Sequence, residues 1–319
     1  MRFGPHILRQ FAHGGRPSIV DHIRVAREAS AAHNFTMNAG QVFLAGPRNM
    51  KVTIMDSEID ELHQYMLSPS GLSPSGHDSP EFTLIAHGTY MDNPWGGNAA
   101  AANQLIREEL NICRRSGIAG LVVHLPKRDI ATVVAGLGGL FEGGHDRGVH
   151  GAMHGSEITQ PLIYLETPHF KQCAGSSTSY VQVDEILDLF RHIREGPDRR
   201  LSKTGFCFDT AHLWSGGVDI STTEGARGWL RALKDGEDLL PTDHCMMHLN
   251  DEVHALGSGL DKHERLTGGK IWKRYRSNPG QCGLKEFVRF AAKENIVAIL
   301  ERKPIAAIYE DYGIINRLK

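Results

Sequence analysis

Short apolar runs alternate with amphipathic stretches along this chain, and the alternation repeats eight times. The apolar runs, read as strands, are Phe3 to Leu8, Thr36 to Phe43, Thr83 to His87, Gly120 to His124, Leu162 to Glu166, Thr204 to Asp209, Cys245 to Leu249 and Val297 to Glu301. Between them the apolar positions recur at helical spacing near Ile19 to His33, Asp56 to Leu67, Asn98 to Ser116, Ile130 to Leu137, Val183 to Arg194, Glu224 to Lys234, Leu284 to Lys293 and Ile305 to Leu318. A helix after each strand carries the chain back to the starting edge, so the strands run parallel. Eight such units in 319 residues predict one α/β domain spanning residues 1–319, a closed (β/α)8 barrel of the TIM type.

Two stretches break the rhythm. Residues 68–80, rich in Ser, Pro and Gly, and residues 136–155, rich in Gly and His, read as surface insertions on the side away from the strands' C-terminal ends. The second carries His145, His150 and His154, but a glycine-rich loop holds metal ligands poorly. The five cysteines are odd in number and form no CxxC pair, which predicts reduced thiols. No apolar run reaches the roughly 20 residues that cross a bilayer, and the N-terminus lacks a signal peptide's apolar stretch. The expectation is an intracellular monomer, in cytoplasm or nucleus according to the host, with no membrane partner.

Chemistry-bearing side chains sit where the strands end. His87, His124, Glu166, Asp209, His248 and Glu301 close apolar runs, His212 follows Asp209 by three positions, and Asp261 and His263 alternate on the loop after the seventh strand. In a parallel barrel those ends share one rim, so all nine converge. Mixed imidazole and carboxylate ligands suit Zn or Mn, whereas a structural zinc site favours thiolates. Each residue alone has a plainer reading. A strand-end histidine often only makes hydrogen bonds, Asp209 could cap the next helix, and the glutamates could pair with arginines. Nine such groups at one rim would be costly without cations. Bound metal also changes the charge argument: three divalent ions would turn the formal −2 into +4, concentrated at the rim.

At these residues the chain resembles the endonuclease IV family of apurinic/apyrimidinic endonucleases, which share the xylose isomerase-like barrel. The matching stretches are His87-Gly-Thr-Tyr90, Val122-Val-His-Leu-Pro126, Ile163-Tyr-Leu-Glu166, Phe208-Asp-Thr-Ala-His212, Met247-His-Leu-Asn-Asp251, Gly257-Ser-Gly-Leu-Asp-Lys-His263 and Ile299-Leu-Glu301. Gly4-Pro-His6 looks like the family's first strand, and Gln41 to Arg48 like its first DNA-contacting loop. The resemblance implies three Zn2+ ions, with Mn2+ the alternative at one site. His87, His124 and Glu166 would hold one ion, Glu166, Asp209, His248 and Glu301 a second, and His212, Asp261 and His263 a third. Glu166 would bridge two ions and orient the attacking hydroxide, making it the catalytic residue. The implied reaction is hydrolysis 5′ to an abasic site in double-stranded DNA, leaving a 3′-hydroxyl and a 5′-deoxyribose phosphate; removal of 3′-blocking groups is a related activity.

The resemblance also implies that Tyr90 and Met91 act as wedges and that Arg48 enters the base stack, with ordinary loop packing as the plainer reading. The chain departs from the family where Leu266-Thr-Gly-Gly-Lys270 lacks the glutamate of a Gly-Glu-Gly stretch, and where Arg302-Lys303 follows Glu301. Two other functions compete. A sugar isomerase or epimerase on a similar barrel would use two metals and would not need His212, Asp261 and His263. A binding protein that senses damaged DNA without cutting it would not need the complete ligand set.

Overall fold

A computed structural model describes residues 2–7, 17–67, 82–90, 94–141, 160–168, 178–301 and 306–319. The segment 68–80, the remainder of the 136–155 segment beyond residue 141, Met91, Cys173, Leu8, Arg302 and Lys303 lie outside the described residues. In chain order the elements are β1 (Arg2–Pro5), α1 (Ile19–Ala32), β2 (Ala39–Phe43), α2 (Asp56–Leu67), β3 (Thr83–His87), α3 (Ala99–Ser116), β4 (Gly120–His124), α4 (Ile130–Phe141), β5 (Leu162–Glu166) and α5 (Val183–Glu195). There follow β6 (Thr204–Asp209), α6 (Thr210–Ser215), α7 (Thr223–Asp235), β7 (Cys245–His248), β8 (Asp251–Glu252), β9 (His263–Glu264), α8 (Leu284–Lys293), β10 (Val297–Leu300) and α9 (Ala306–Leu318).

Eight parallel strands form one sheet in the order β1-β10-β7-β6-β5-β4-β3-β2. A parallel bridge between His6 and Gln41, with the Ile7 N–H donating to the Gln41 carbonyl at 2.7 Å, joins the two end strands and rounds the sheet into a barrel. The strands approach so closely there that a Cβ on Gly4 would lie 1.7 Å from the Ala39 carbonyl oxygen. Buried on both faces, β3 and β6 are solvent-excluded along their whole length, which is why these strands read as unbroken apolar runs. The helices show the complementary pattern, one apolar stripe each. At the start of α1, Ser18 accepts from the Asp21 N–H at 3.2 Å while Asp21 accepts from the Ser18 N–H at 3.0 Å, a capping box that fixes where the helix begins.

The barrel interior explains the site. Ala39, Ile85, Val122, Tyr164, Cys207, Met246, Val297 and Ile299 pack together as an apolar layer in the lumen. Side chains along a strand alternate between faces, so the residue two positions on points into the same lumen one layer nearer the C-terminal rim. From Ala39, Ile85, Val122, Tyr164, Cys207, Met246 and Ile299 that step arrives at Gln41, His87, His124, Glu166, Asp209, His248 and Glu301. From Gly4 on β1 it arrives at His6. Every strand of the barrel therefore carries one polar group at the same height.

One expectation changes. The 136–155 segment is not an insertion from its first residue, because α4 runs on to Phe141 through Gly136, Gly138 and Gly139. Gly136 lies under the Trp95 indole, where a Cβ would meet the ring at 2.3 Å, so tertiary packing overrides the glycine's poor helix propensity. β2 ends at Phe43 as the apolar run predicts, so of the stretch Gln41 to Arg48 that resembles the family's first DNA-contacting loop, residues 44–48 lie beyond the strand.

Candidate metal centre

Glu166 stands at the middle of the rim and is 1% exposed. Its Oε1 lies 2.8 Å from His248 Nδ1 and 3.5 Å from His212 Nδ1; its Oε2 lies 3.1 Å from His124 Nε2 and 3.3 Å from His87 Nε2. Oε2 is buried yet has no partner in hydrogen-bond geometry. A buried carboxylate oxygen left so, with two imidazole nitrogens aimed at it, is a poor hydrogen-bond site and a good metal site.

The rings are oriented from outside the cluster. His87 Nδ1 lies 2.7 Å from the Gly88 carbonyl, His212 Nδ1 2.7 Å from the Thr167 carbonyl, and His248 Nε2 2.9 Å from Gln41 Oε1. Carbonyl and amide oxygens only accept, so the nitrogen facing them carries the proton and donates it. The other nitrogen can then present its lone pair to a cation, the usual arrangement behind a metal-ligating histidine. Gln41 is fully buried and its Nε2 also donates to Glu301 Oε1 and to His6 Nδ1, both at 2.9 Å.

Asp209 does two things at once. Its Oδ1 caps α6, accepting from the N–H groups of Ala211 (2.6 Å) and His212 (3.1 Å). Its Oδ2 turns to the site, 2.5 Å from Asn250 Nδ2 and 3.6 Å from both His248 Nδ1 and His263 Nε2. Asn250 Oδ1 accepts from the Glu301 backbone N–H at 3.1 Å, so one amide side chain spaces two of the carboxylates. Asp261 stands at the outer edge, its side chain 29% exposed, 3.0 Å from His263 Nε2 and 3.8 Å from His212 Nε2.

Ligand-type atoms of His87, His124 and Glu166 lie within 4.8 Å of one another, as do those of Glu166, Asp209, His248 and Glu301. A third such group joins Asp209 to His212 and His263, where the resemblance implied Asp261 with the two histidines. Asp261 borders that group rather than completing it at the same spacing. All nine predicted ligands meet at this rim.

The electrostatics ask for positive charge. Burial by itself would raise the Glu166 carboxyl, but His124 and His248 outweigh it and hold the group well below the usual carboxylate range. Burial would likewise lower the imidazoles. Asp209, with Asp261 and Glu166, instead raises His212 to about 10. The field that retains a proton there would equally hold a dication. Donor chemistry, spacing and field all fit zinc-type ions.

Of the residues predicted to touch DNA, Tyr90 is 58% exposed at the rim, its ring 5.8 Å from that of His87 and 5.4 Å from that of His124. Arg48 is exposed on the loop after β2. His6, Gln41 and Asn250 lie in stretches that matched the family but were not among the candidate metal ligands read from the sequence. The signal was present for the first two: each stands two positions beyond a lumen residue, like the ligands.

No protein-family model matches the chain. A protein of African swine fever virus (isolate Tick/Malawi/Lil 20-1/1983) named "Probable AP endonuclease" is 37% identical over 268 residues, covering 84% of this chain and 80% of that one. "Probable endonuclease 4" of Methanoculleus marisnigri is 27% identical over 308 residues, covering 93% and 96%. Among solved structures, that of AsfvAP:AG superposes with a TM-score of 0.84 at 31% identity, covering 99% of this chain and 98% of that one. A chain with this rim, this barrel and these relatives belongs to the endonuclease IV family of apurinic/apyrimidinic endonucleases.

Proposed function

We propose that this protein is a zinc-dependent DNA repair endonuclease that hydrolyses the phosphodiester 5′ to abasic sites in duplex DNA and works as a monomer. The products are a 3′-hydroxyl and a 5′-deoxyribose phosphate. The observation that carries the reading is Glu166: one buried carboxylate with both oxygens among four imidazoles, shared between two groups of ligand atoms. His87, His124 and Glu166 would hold one zinc, Glu166, Asp209, His248 and Glu301 the second, and His212, His263 and Asp261 the third, with Asp209 beside it.

Zinc bound in such a cluster supplies Lewis acidity, which makes water a nucleophile near neutral pH and neutralises charge on a phosphodiester. The protein's own groups do the rest. Glu166 is placed to orient the attacking oxygen, since each of its oxygens faces a different group of ligands. Gly88, Thr167 and Gln41 fix which nitrogen of each ring faces the rim. Tyr90, with Arg48 on the neighbouring loop, presents an aromatic face and a cation where a strained duplex would meet the barrel. An abasic nucleotide has lost its stacking, so it costs less to extrude toward such a site.

The test is incision of a duplex containing one abasic site beside an intact duplex, with metal analysis of the same preparation. Selective nicking that is lost on prolonged chelation is the expected result. A zinc-loaded protein that binds the damaged duplex without nicking it would overturn the reading in favour of a damage sensor, and turnover of a free ketose in favour of a sugar epimerase.

A further inference from the structure

We infer that Glu252, which is not among the nine rim residues, is the positioning residue for Asp261 and His263. The inference rests on the three-zinc reading proposed above. Asp261 and His263 come from a long excursion between β7 and α8, not from a barrel strand, so something other than the sheet must fix them. That excursion begins and ends on a two-strand ribbon in which Glu252 of β8 faces His263 of β9.

The Glu252 side chain is fully buried. Its Oε1 accepts from the His254 backbone N–H at 2.8 Å and lies 2.6 Å from His254 Nδ1. Its Oε2 accepts from the Lys262 backbone N–H at 2.7 Å. Lys262 is the residue between Asp261 and His263. One carboxylate thus ties the outgoing strand of the loop to the returning strand ten positions later, at the peptide that separates two ligands. Charge-assisted bonds of this length are among the stronger ones available to a protein.

Elsewhere the loop is tied to α6, the helix that carries His212. The Gly257 N–H donates to the Trp214 carbonyl at 3.0 Å, the Gly259 N–H to the Ser215 carbonyl at 2.9 Å, and the Trp214 indole N–H to the His254 carbonyl at 3.1 Å. These bonds place the loop over α6; its neck is held by the two-residue β8–β9 pairing, by a long bond of 3.4 Å from the Val253 N–H to the Lys262 carbonyl, and by the Glu252 carboxylate. Leu256 and Leu260 at the loop's tip are exposed and do not anchor it. Without Glu252 the peptide between Asp261 and His263 loses its shortest tie to the outgoing strand, 2.7 Å against 3.4 Å for the backbone bond beside it.

Two measurements on Glu252→Gln test this. Glutamine keeps one acceptor but turns an amide N–H toward a donor. Hydrogen exchange across residues 253–264 of chelator-stripped protein reads the clamp with no metal involved: exchange in Glu252→Gln should be at least tenfold faster there and unchanged in the barrel strands. Unchanged exchange overturns the inference. Zinc retention against a chelator is the second readout, with one ion of three expected to leave 10- to 100-fold more readily, as when a partner behind a metal ligand is removed. Equal loss of all three ions, or a collapsed melt of the stripped variant, also overturns it. His254→Ala, which removes the ring but keeps both backbone donors, should lie close to wild type. A wild-type chain that binds fewer than three zinc ions would defeat the three-zinc reading, while the exchange result still decides the clamp.

Discussion

Gln41→Met is the most informative single change to the centre that touches no ligand. The two side chains are alike in length, and position 41 is fully buried, so packing survives while three hydrogen bonds go. Two of the losses are repaired locally. His6 Nδ1 lies 3.5 Å from Glu301 Oε1 and, once the ring proton shifts to Nδ1, can donate to it, and Glu301 keeps its contacts with Asn250. The third is not, because His248 is completely buried and its Nε2 loses the amide oxygen that stands 2.9 Å away. One stranded buried donor costs about 1–3 kcal/mol. For a chain of this size that lowers the melting temperature of metal-free protein by roughly 2–10 °C.

The larger effect is on metal. With Nε2 no longer held by an acceptor, the His248 proton can move to Nδ1, the nitrogen that faces Glu166, Asp209 and Glu301. Zinc affinity should then fall about 10- to 100-fold, or roughly 1.4–2.8 kcal/mol. Chelator competition monitored by a zinc-binding dye measures it. Gln41→Glu supplies the control: it keeps an acceptor for His248 Nε2, so it should retain zinc although its added charge beside Glu301 weakens the metal-free fold. If Gln41→Met gives up zinc no faster than wild type, the account of how His248 is held is wrong.

Three further outcomes follow from the same geometry. Glu166→Gln should cut incision of an abasic duplex below a thousandth of wild type, about 4 kcal/mol of transition-state stabilisation, with the circular-dichroism melt nearly unchanged; retained cleavage would count heavily against the mechanism. Zinc uptake should release protons, because His212 in the metal-free site titrates at about 10 against an ordinary 6.5. The stability that this histidine contributes without metal is complete below pH 6.5 and lost as the pH rises through about 10, so zinc affinity should climb over that window; calorimetry in two buffers of different ionisation enthalpy should detect the released protons, and none released would refute it. Gly4→Ala should lower stability by about 1–3 kcal/mol or more, since its methyl would meet the Ala39 carbonyl at the seam of the barrel; an unaltered urea midpoint would show that β1 and β2 can separate freely.

What the sequence showed and what it hid have a common physical cause. Thr83 to His87, Gly120 to His124, Leu162 to Glu166 and Thr204 to Asp209 are found where the apolar runs placed them, because a strand buried on both faces leaves nothing but apolar residues until the rim. The polar residue that ends each run is the next lumen position, so strand and candidate ligand are one signal. Elements without such a period stayed hidden. α6 is buried on every side and shows no stripe, and β8 and β9 are two residues each, too short for any alternation. Their placement depends on contacts that no local pattern encodes, such as the Asp251 carboxylate accepting from the N–H groups of Gly269 and Ile271 at 3.0 and 2.9 Å.

Asp209 shows why reading residues one at a time could not have separated capping from ligation. The two were posed as alternatives, yet a carboxylate has two oxygens and the end of β6 coincides with the start of α6, so one oxygen meets the helix N–H groups while the other faces the rim. The coincidence is useful. Capping fixes the carboxylate's rotation, and the cap includes the backbone of His212, so the same bond that begins the helix sets the spacing between two of the metal-type side chains. Replacing Asp209 by Asn would preserve an acceptor for the cap and remove charge only from the rim side. The helix should survive that change and the zinc should not.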